Sequence, residues 1–124
     1  MHPVASPLAI HPALGRIAVD LEHAIREGAP SRDDRWDEFE RAVLDHMHEE
    51  EVELLPERAA SHQAEVLALL AEHHEIRVAL AQGRSALAEG DTRAALLAIA
   101  SFRMHQIREE TGVYQALGLH RAKG

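Results

Sequence analysis

Apolar residues recur along the chain at three- and four-residue spacings, and nothing alternates with period two over a useful length. Ala, Leu, Glu and Arg dominate, so the pattern predicts helices throughout. Punctuation sets the boundaries. Gly28-Ala29-Pro30 stops the first helix, and Ser31 with Asp34 three positions on opens the second in the manner of a capping box. Pro56 ends that helix, Ser61 offers an N-cap for the third, and Gly90-Asp91-Thr92 closes the third and caps the fourth. The expected helices cover roughly 7–28, 32–55, 62–88 and 92–117. Connections this short join neighbours in opposite directions, so the expected fold is all-α: one domain over residues 1–124, an antiparallel up-down-up-down four-helix bundle. Pro7 and Pro12 fall near the start of helix 1, where proline suits only the first turn.

Placing residues at about 100° per position shows which polar groups share the apolar faces. Helix 2 has its stripe on Trp36, Phe39, Val43, Met47 and Leu54, with Glu50 about 30° and His46 about 70° from its middle. Helix 4 repeats this: around Ala95, Phe102, Val113 and Leu117, Glu109 lies about 30° and His105 about 70° off. On helix 3, His73 sits at the centre of Val66, Leu69, Leu70, Ile76 and Leu80. A carboxylate on an apolar stripe is costly to bury unless it is paired or bound to metal. Two of them, each four residues after a histidine, call for an explanation.

Height along the expected bundle gives an independent test. Reflecting the midpoint of His105 and Glu109 through the turn near Gly90 lands on His73. Reflecting the midpoint of His46 and Glu50 through the turn at Ala29-Pro30 lands on His11. His11 and His73 are also followed by matching apolar positions, Leu14, Ala18 and Ile25 against Ile76, Leu80 and Leu87. The two halves thus read as a helix-pair repeat, each supplying a His and then a His-x-x-x-Glu.

Composition narrows the chemistry. Acids outnumber bases 21 to 13, for a formal charge of -8, and no basic cluster breaks the pattern, which argues against nucleic acid and anionic membrane as partners. The longest apolar run, Ala94 to Ala100, is far too short to span a bilayer. No secretory signal is visible, which makes a cytoplasmic address the default expectation. The chain has no cysteine, so disulfides, thiolate nucleophiles, Fe–S clusters and Cys-ligated zinc are all removed. Ten histidines, against four aromatic residues of other kinds, stand out.

On a helix, i and i+4 share a face one turn apart, so His-x-x-x-Glu delivers an imidazole and a carboxylate to the same interior. His11, His46, Glu50, His73, His105 and Glu109 together make four imidazoles and two carboxylates, the inventory of a metal site. Six ligands related by a pseudo-two-fold exceed one tetrahedral zinc and suit two six-coordinate ions with open positions. Two iron ions bridged by carboxylate come first, with manganese or a zinc-substituted form behind them.

The segments His46-Met-His-Glu-Glu50, Glu72-His73-His-Glu-Ile-Arg77 and His105-Gln-Ile-Arg-Glu109 also carry a resemblance. With the Leu55-Pro56 after helix 2 and the Val113-Tyr114 after helix 4, the set resembles the haemerythrin-like HHE cation-binding domain family, in order and over essentially the whole chain. The resemblance implies a haemerythrin-like bundle holding a non-haem di-iron centre. It implies His46, Glu50, His73, His105 and Glu109 as ligands, the glutamates bridging, with O2, peroxide or nitric oxide as small ligands. On helix 1, Glu22 and His23 compete with His11, but both lie well away from the reflected height, and His23 joins Arg16, Asp20 and Glu27 on the polar face.

One departure matters. Oxygen-carrying haemerythrins have His-x-x-x-His on helix 3, whereas this chain has His73 and then Arg77. The reduced set opens coordination and fits three roles in related domains: sensing iron or oxygen, handling nitric oxide, or breaking down peroxide as a catalase-like or peroxidase enzyme. Arg77, on the inward side of helix 3, is expected to pair with a glutamate or to attract an anion. His2, His23, His48, His62, His74 and His120 read as ordinary surface or structural histidines, with His48 and His74 the candidates to support a ligand. Of Glu49-Glu50-Glu51, only Glu50 is expected to face inward. A second apolar line on helix 4, Leu96, Ile107 and Tyr114, is either a homodimer seam or the flank of a broad stripe.

Overall fold

The computed structural model describes residues 7–54, 56 and 60–108, with the side chains of 7–12, 53 and 54 outside the description. Four long helices account for nearly all of it: α1 (Pro7–Glu27), α2 (Arg32–Glu49), α3 (Gln63–Ala88) and α4 (Thr92–Arg108). No strand occurs among the described residues. No helix among them is long and apolar enough to cross a membrane. The end of the expected second helix is not α-helical. Residues Glu50–Leu54 form a π-helical turn that continues directly from α2.

The breaks follow the glycines. Gly28 and Gly90 adopt φ of +65° and +80°, a left-handed conformation that costs residues with a Cβ roughly 1–2 kcal/mol. After each glycine the backbone N–H reaches back five residues, Ala29 to the Ala24 carbonyl at 2.9 Å and Asp91 to the Ala86 carbonyl at 2.8 Å. These bonds satisfy carbonyls that the helix ends would leave open. Asp91 caps α4 as expected, its Oδ1 accepting from the Ala94 N–H at 3.1 Å. The expected box at Ser31 is not formed: Ser31 stands at the N-cap of α2 but makes no side-chain cap bond. The cap of α3 is His62, one residue later than expected, with the Ser61 hydroxyl on its ring at 2.8 Å.

Helix α1 packs on α2 and α4, and α3 packs on α4 and α2. The shared interior holds Leu14, Ala18, Ile25, Trp36, Phe39, Val43 and Met47 from the first half, and Ile76, Leu80, Leu87, Ala95, Ile99 and Phe102 from the second. Trp36, Phe39 and Phe102 form a chain of edge-to-face contacts, with centroids 5.9 and 5.4 Å apart. The Trp36 Nε1–H donates to Glu40 at 3.1 Å, which satisfies the one polar atom of the buried indole. Arg84 on α3 in turn binds Glu40 and Asp37 on α2. Among the described side chains the expected stripes are buried with one exception: Leu70, at their edge on α3, is 38% exposed, while Leu54, Val113 and Leu117 lie outside the description. On the second line of α4, Leu96 packs against the core but Ile107 is 53% exposed, and Tyr114 lies outside the described residues.

Gly83 lets this packing close. A Cβ there would overlap the Trp36 ring, with Cζ2 at 2.9 Å, and the Ala98 Cβ at 2.8 Å. Helix propensity favours alanine over glycine by about 1 kcal/mol, while overpacking a core costs roughly 1–3 kcal/mol. With ring and helix both in the way, the steric cost wins. Gly83→Ala is therefore expected to lower the unfolding free energy by about 1–2 kcal/mol in urea titrations with an unchanged m-value. A neutral or stabilising result would show that the Trp36 slot has room to spare.

Candidate metal centre

Four of the expected ligands are interior side chains of described helices. His46, Glu50, His73 and His105 are exposed by 1%, 0%, 0% and 2%. The backbone of His11 lies in α1, but its side chain is outside the description, and Glu109 lies outside the described residues altogether. Of the alternatives on helix 1, the Glu22 carboxylate is held by Arg103 of α4 at 3.0 Å, and His23 is exposed.

The i, i+4 pair on α2 folds back on itself as its spacing requires, with His46 Nε2 3.2 Å from Glu50 Oε1. The same oxygen stands 3.3 Å from Nε2 of His73, across on α3. Two imidazole nitrogens from two helices therefore meet at one buried carboxylate oxygen. His105 of α4 lies beside them, its ring edge-on to His73 with centroids 5.5 Å apart. Among the described residues no group of three or more His, Cys, Asp or Glu side chains is arranged to hold a metal ion. The imidazoles of His46 and His73 converge on Glu50 directly.

Behind His73 stands a residue that the sequence pattern assigned to solvent. Glu51 Oε2 is 2.6 Å from His73 Nδ1, and Arg77 grips both oxygens of Glu51, at 3.1 and 3.0 Å. Arg77 thus turns onto a glutamate. The π-helical turn explains how two consecutive glutamates reach one histidine. Bonding from i to i+5 puts about one more residue into the turn, so neighbours are separated by less than the roughly 100° of an α-helix. Glu50 and Glu51 both swing toward α3.

His105 has a similar arrangement behind it. Its Nδ1 is 3.3 Å from Glu72 Oε2, and Arg108 binds Glu72 Oε1 at 3.0 Å. A half-open groove of about 390 Å³ between α3 and α4 exposes this end, with Glu72, Ile76, Met104, His105 and Arg108 in its lining. His48 and His74, the expected supporting histidines, are both exposed. Glutamates at 51 and 72 stand in the supporting places instead. The signal that could have found them is an Arg within a helical turn or across the interface, since a half-buried carboxylate needs a cation.

Partial burial pushes the Glu51 carboxyl up, but the hydrogen bonds and charges of Arg77 and His73 outweigh it and hold it below the ordinary 4.5. No family model matches this chain, and neither a curated protein nor a solved structure does.

A double-mutant cycle on Glu51→Ala and Arg77→Ala is expected to give a coupling of about 0.5–1 kcal/mol at neutral pH, modest because the Arg77 side chain is 40% exposed. A carboxyl depressed by folding stabilises fully above its unfolded value and loses that contribution as pH falls through its folded value. The coupling should therefore shrink on acidification below the ordinary 4.5. Zero coupling in low salt at pH 7 would contradict the bidentate pair.

Proposed function

We propose that this chain is a haemerythrin-like protein whose interior holds a non-haem pair of iron ions and binds or senses a small oxidant such as O2, peroxide or nitric oxide, or senses iron itself, as a cytoplasmic protein. The observation that carries this reading is the meeting of His46, Glu50 and His73. The short contact to Glu51 commits the Nδ1 proton of a neutral His73, which leaves the lone pair of Nε2 turned toward Glu50 Oε1, itself an acceptor. Two acceptors at 3.3 Å repel unless positive charge lies between them, supplied by a proton or by a cation.

The donor set fits the second choice. Imidazole and carboxylate together suit iron, and zinc or manganese less specifically. Metal bonds of about 2.0–2.2 Å put neighbouring donors roughly 2.8–3.6 Å apart, depending on geometry. The 3.2 and 3.3 Å separations at Glu50 fall in that range. In this reading His46, Glu50, His73 and His105 hold the pair from one side, and His11 and Glu109 complete it. Iron with open positions supplies binding of, and electron exchange with, dioxygen, peroxide or nitric oxide.

The antiparallel up-down-up-down order is part of the same proposal. Glu50 meets His73 while Asp37 meets Arg84, which supports opposite directions for α2 and α3. Glu72 meets His105 while Gly83 faces Ala98, which supports the same for α3 and α4. One observation favours an enzymatic variant, a peroxidase or catalase-like activity. Arg77 stands where an oxygen carrier has another imidazole, and it is spent on Glu51, so one ion has a ligand fewer and a position more.

Aerobically purified protein is expected to carry about two irons per chain, with the near-ultraviolet charge-transfer absorption of a coupled ferric pair. Glu50→Ala should lose most of that iron while remaining helical. Steady peroxide consumption by the iron-loaded protein selects the enzyme; stoichiometric binding without turnover selects the binding or sensing role. Protein that takes up no transition metal, with folding unchanged in His73→Ala, would overturn the proposal and leave a metal-free bundle.

A further inference from the structure

Two of the interior histidines are backed in the same way by residues outside the expected ligand set. The order Arg77, Glu51, His73 reads inward from the surface, and so does Arg108, Glu72, His105. In each, the carboxylate addresses Nδ1, the ring nitrogen remote from the neighbouring cluster in the case of His73, whose Nε2 faces Glu50. In each, an arginine holds the carboxylate's other oxygen. The members come from three elements: the π-helical turn, α3 and α4.

We propose that Glu51 is a positioning residue that holds the Nδ1–H of His73 and so presents Nε2 toward Glu50 as a donor, with Glu72 standing at contact distance in the corresponding place beside His105. This rests on the metal reading above for its purpose, though the Nδ1 hydrogen bond itself does not depend on metal. An imidazole has two faces of equal attraction to a cation, and a free ring would turn and exchange tautomers. A carboxylate at Nδ1 removes that freedom and strengthens the opposite nitrogen as a donor. The arginine has a separate task. It neutralises the carboxylate, so that the interior gains an oriented acceptor without a second uncompensated negative charge beside Glu50.

The two relays are not equal. Glu51 sits 2.6 Å from its histidine, a charge-assisted hydrogen bond, whereas Glu72 stands 3.3 Å from His105 and borders the open groove. His73 is accordingly the more tightly fixed ring and the stronger donor. The single Arg77 thus does what a second imidazole on helix 3 would not: it anchors the partner of the first.

The test uses the full chain. Heteronuclear NMR of the ring nitrogens in metal-free protein should show the proton of His73 Nδ1 held in slow exchange by its hydrogen bond to Glu51. Glu51→Gln, whose amide oxygen can still accept from Nδ1, should keep that proton protected, and Glu51→Ala should release it to exchange. Cobalt(II), used as an optical probe ion, should bind Glu51→Ala about 10–100-fold more weakly than the unaltered chain, with Glu72→Ala losing less. A His73 whose Nδ1 carries no proton in the unaltered chain would overturn the relay. So would equal cobalt affinity in Glu51→Ala, Glu72→Ala and the unaltered protein. If the unaltered chain binds no cobalt or iron at all, the metal reading fails while the NMR result still settles the relay.

Discussion

A fully buried carboxylate is the constraint around which the rest of the structure is arranged. Glu50 has no exposure, and an ionised carboxylate in that position costs several kcal/mol unless its oxygens are met by donors or cations. The chain meets it with imidazoles drawn from two helices, and that demand fixes what α2 and α3 must do locally. His46 can reach Glu50 only because the two are a helical turn apart, and His73 only because α3 crosses α2 at that height. The aromatic packing sets that height. Trp36 enters the slot at Gly83 between α3 and α4, and Phe39 and Phe102 stack behind it. A residue step along α3 would close the slot and carry His73 out of reach together.

Much of this was legible in the sequence because helical periodicity is a local property. The positions of His46, Glu50, His73 and His105 on the apolar faces follow from a rotation of about 100° per residue, and all four are buried. The reflected heights placed His73 level with the α4 histidine, and their rings are 5.5 Å apart. Local periodicity also explains the errors. Leu70 lies at the margin of the α3 stripe, where a wheel assigns burial without knowing how wide the neighbouring helix is. Glu51 was assigned to solvent because the wheel holds its step constant, and the step changes where α2 passes into the π-helical turn. Glu72 was passed over because its role depends on Arg108 of another helix, which no single-helix pattern contains. Ser31 has the right residue type for a cap, yet side-chain capping is an option of the hydroxyl, not a requirement. Of the six expected ligands, His11 and Glu109 are the two that lie outside the described side chains.

The π-helical turn connects these findings. An i→i+5 turn sacrifices regular α-helical bonding, and such turns concentrate at functional sites because they re-aim side chains. Here the re-aiming puts two adjacent glutamates on one imidazole, one at each ring nitrogen. A regular helix would send Glu51 toward solvent and leave Arg77, on the flank of α3, without its bidentate partner. The irregularity, the arginine and the orientation of His73 are therefore one device.

That device bears on how the proposed centre would differ from an oxygen carrier. At position 77 this chain exchanges a candidate donor for a clamp, which lowers the number of imidazoles while stiffening the one that remains. Fewer donors leave more room for an incoming ligand, and a stiffer donor keeps the site from collapsing into that room. The groove beside His105 lies on the looser side, where Glu72 stands 3.3 Å from the ring. A small oxidant approaching there would meet the less constrained imidazole first, with the rigid His46, Glu50 and His73 cluster behind it. The two ends of the interior are therefore unequal whatever they hold: Glu51 fixes His73 at 2.6 Å, while Glu72 leaves His105 at 3.3 Å beside the groove.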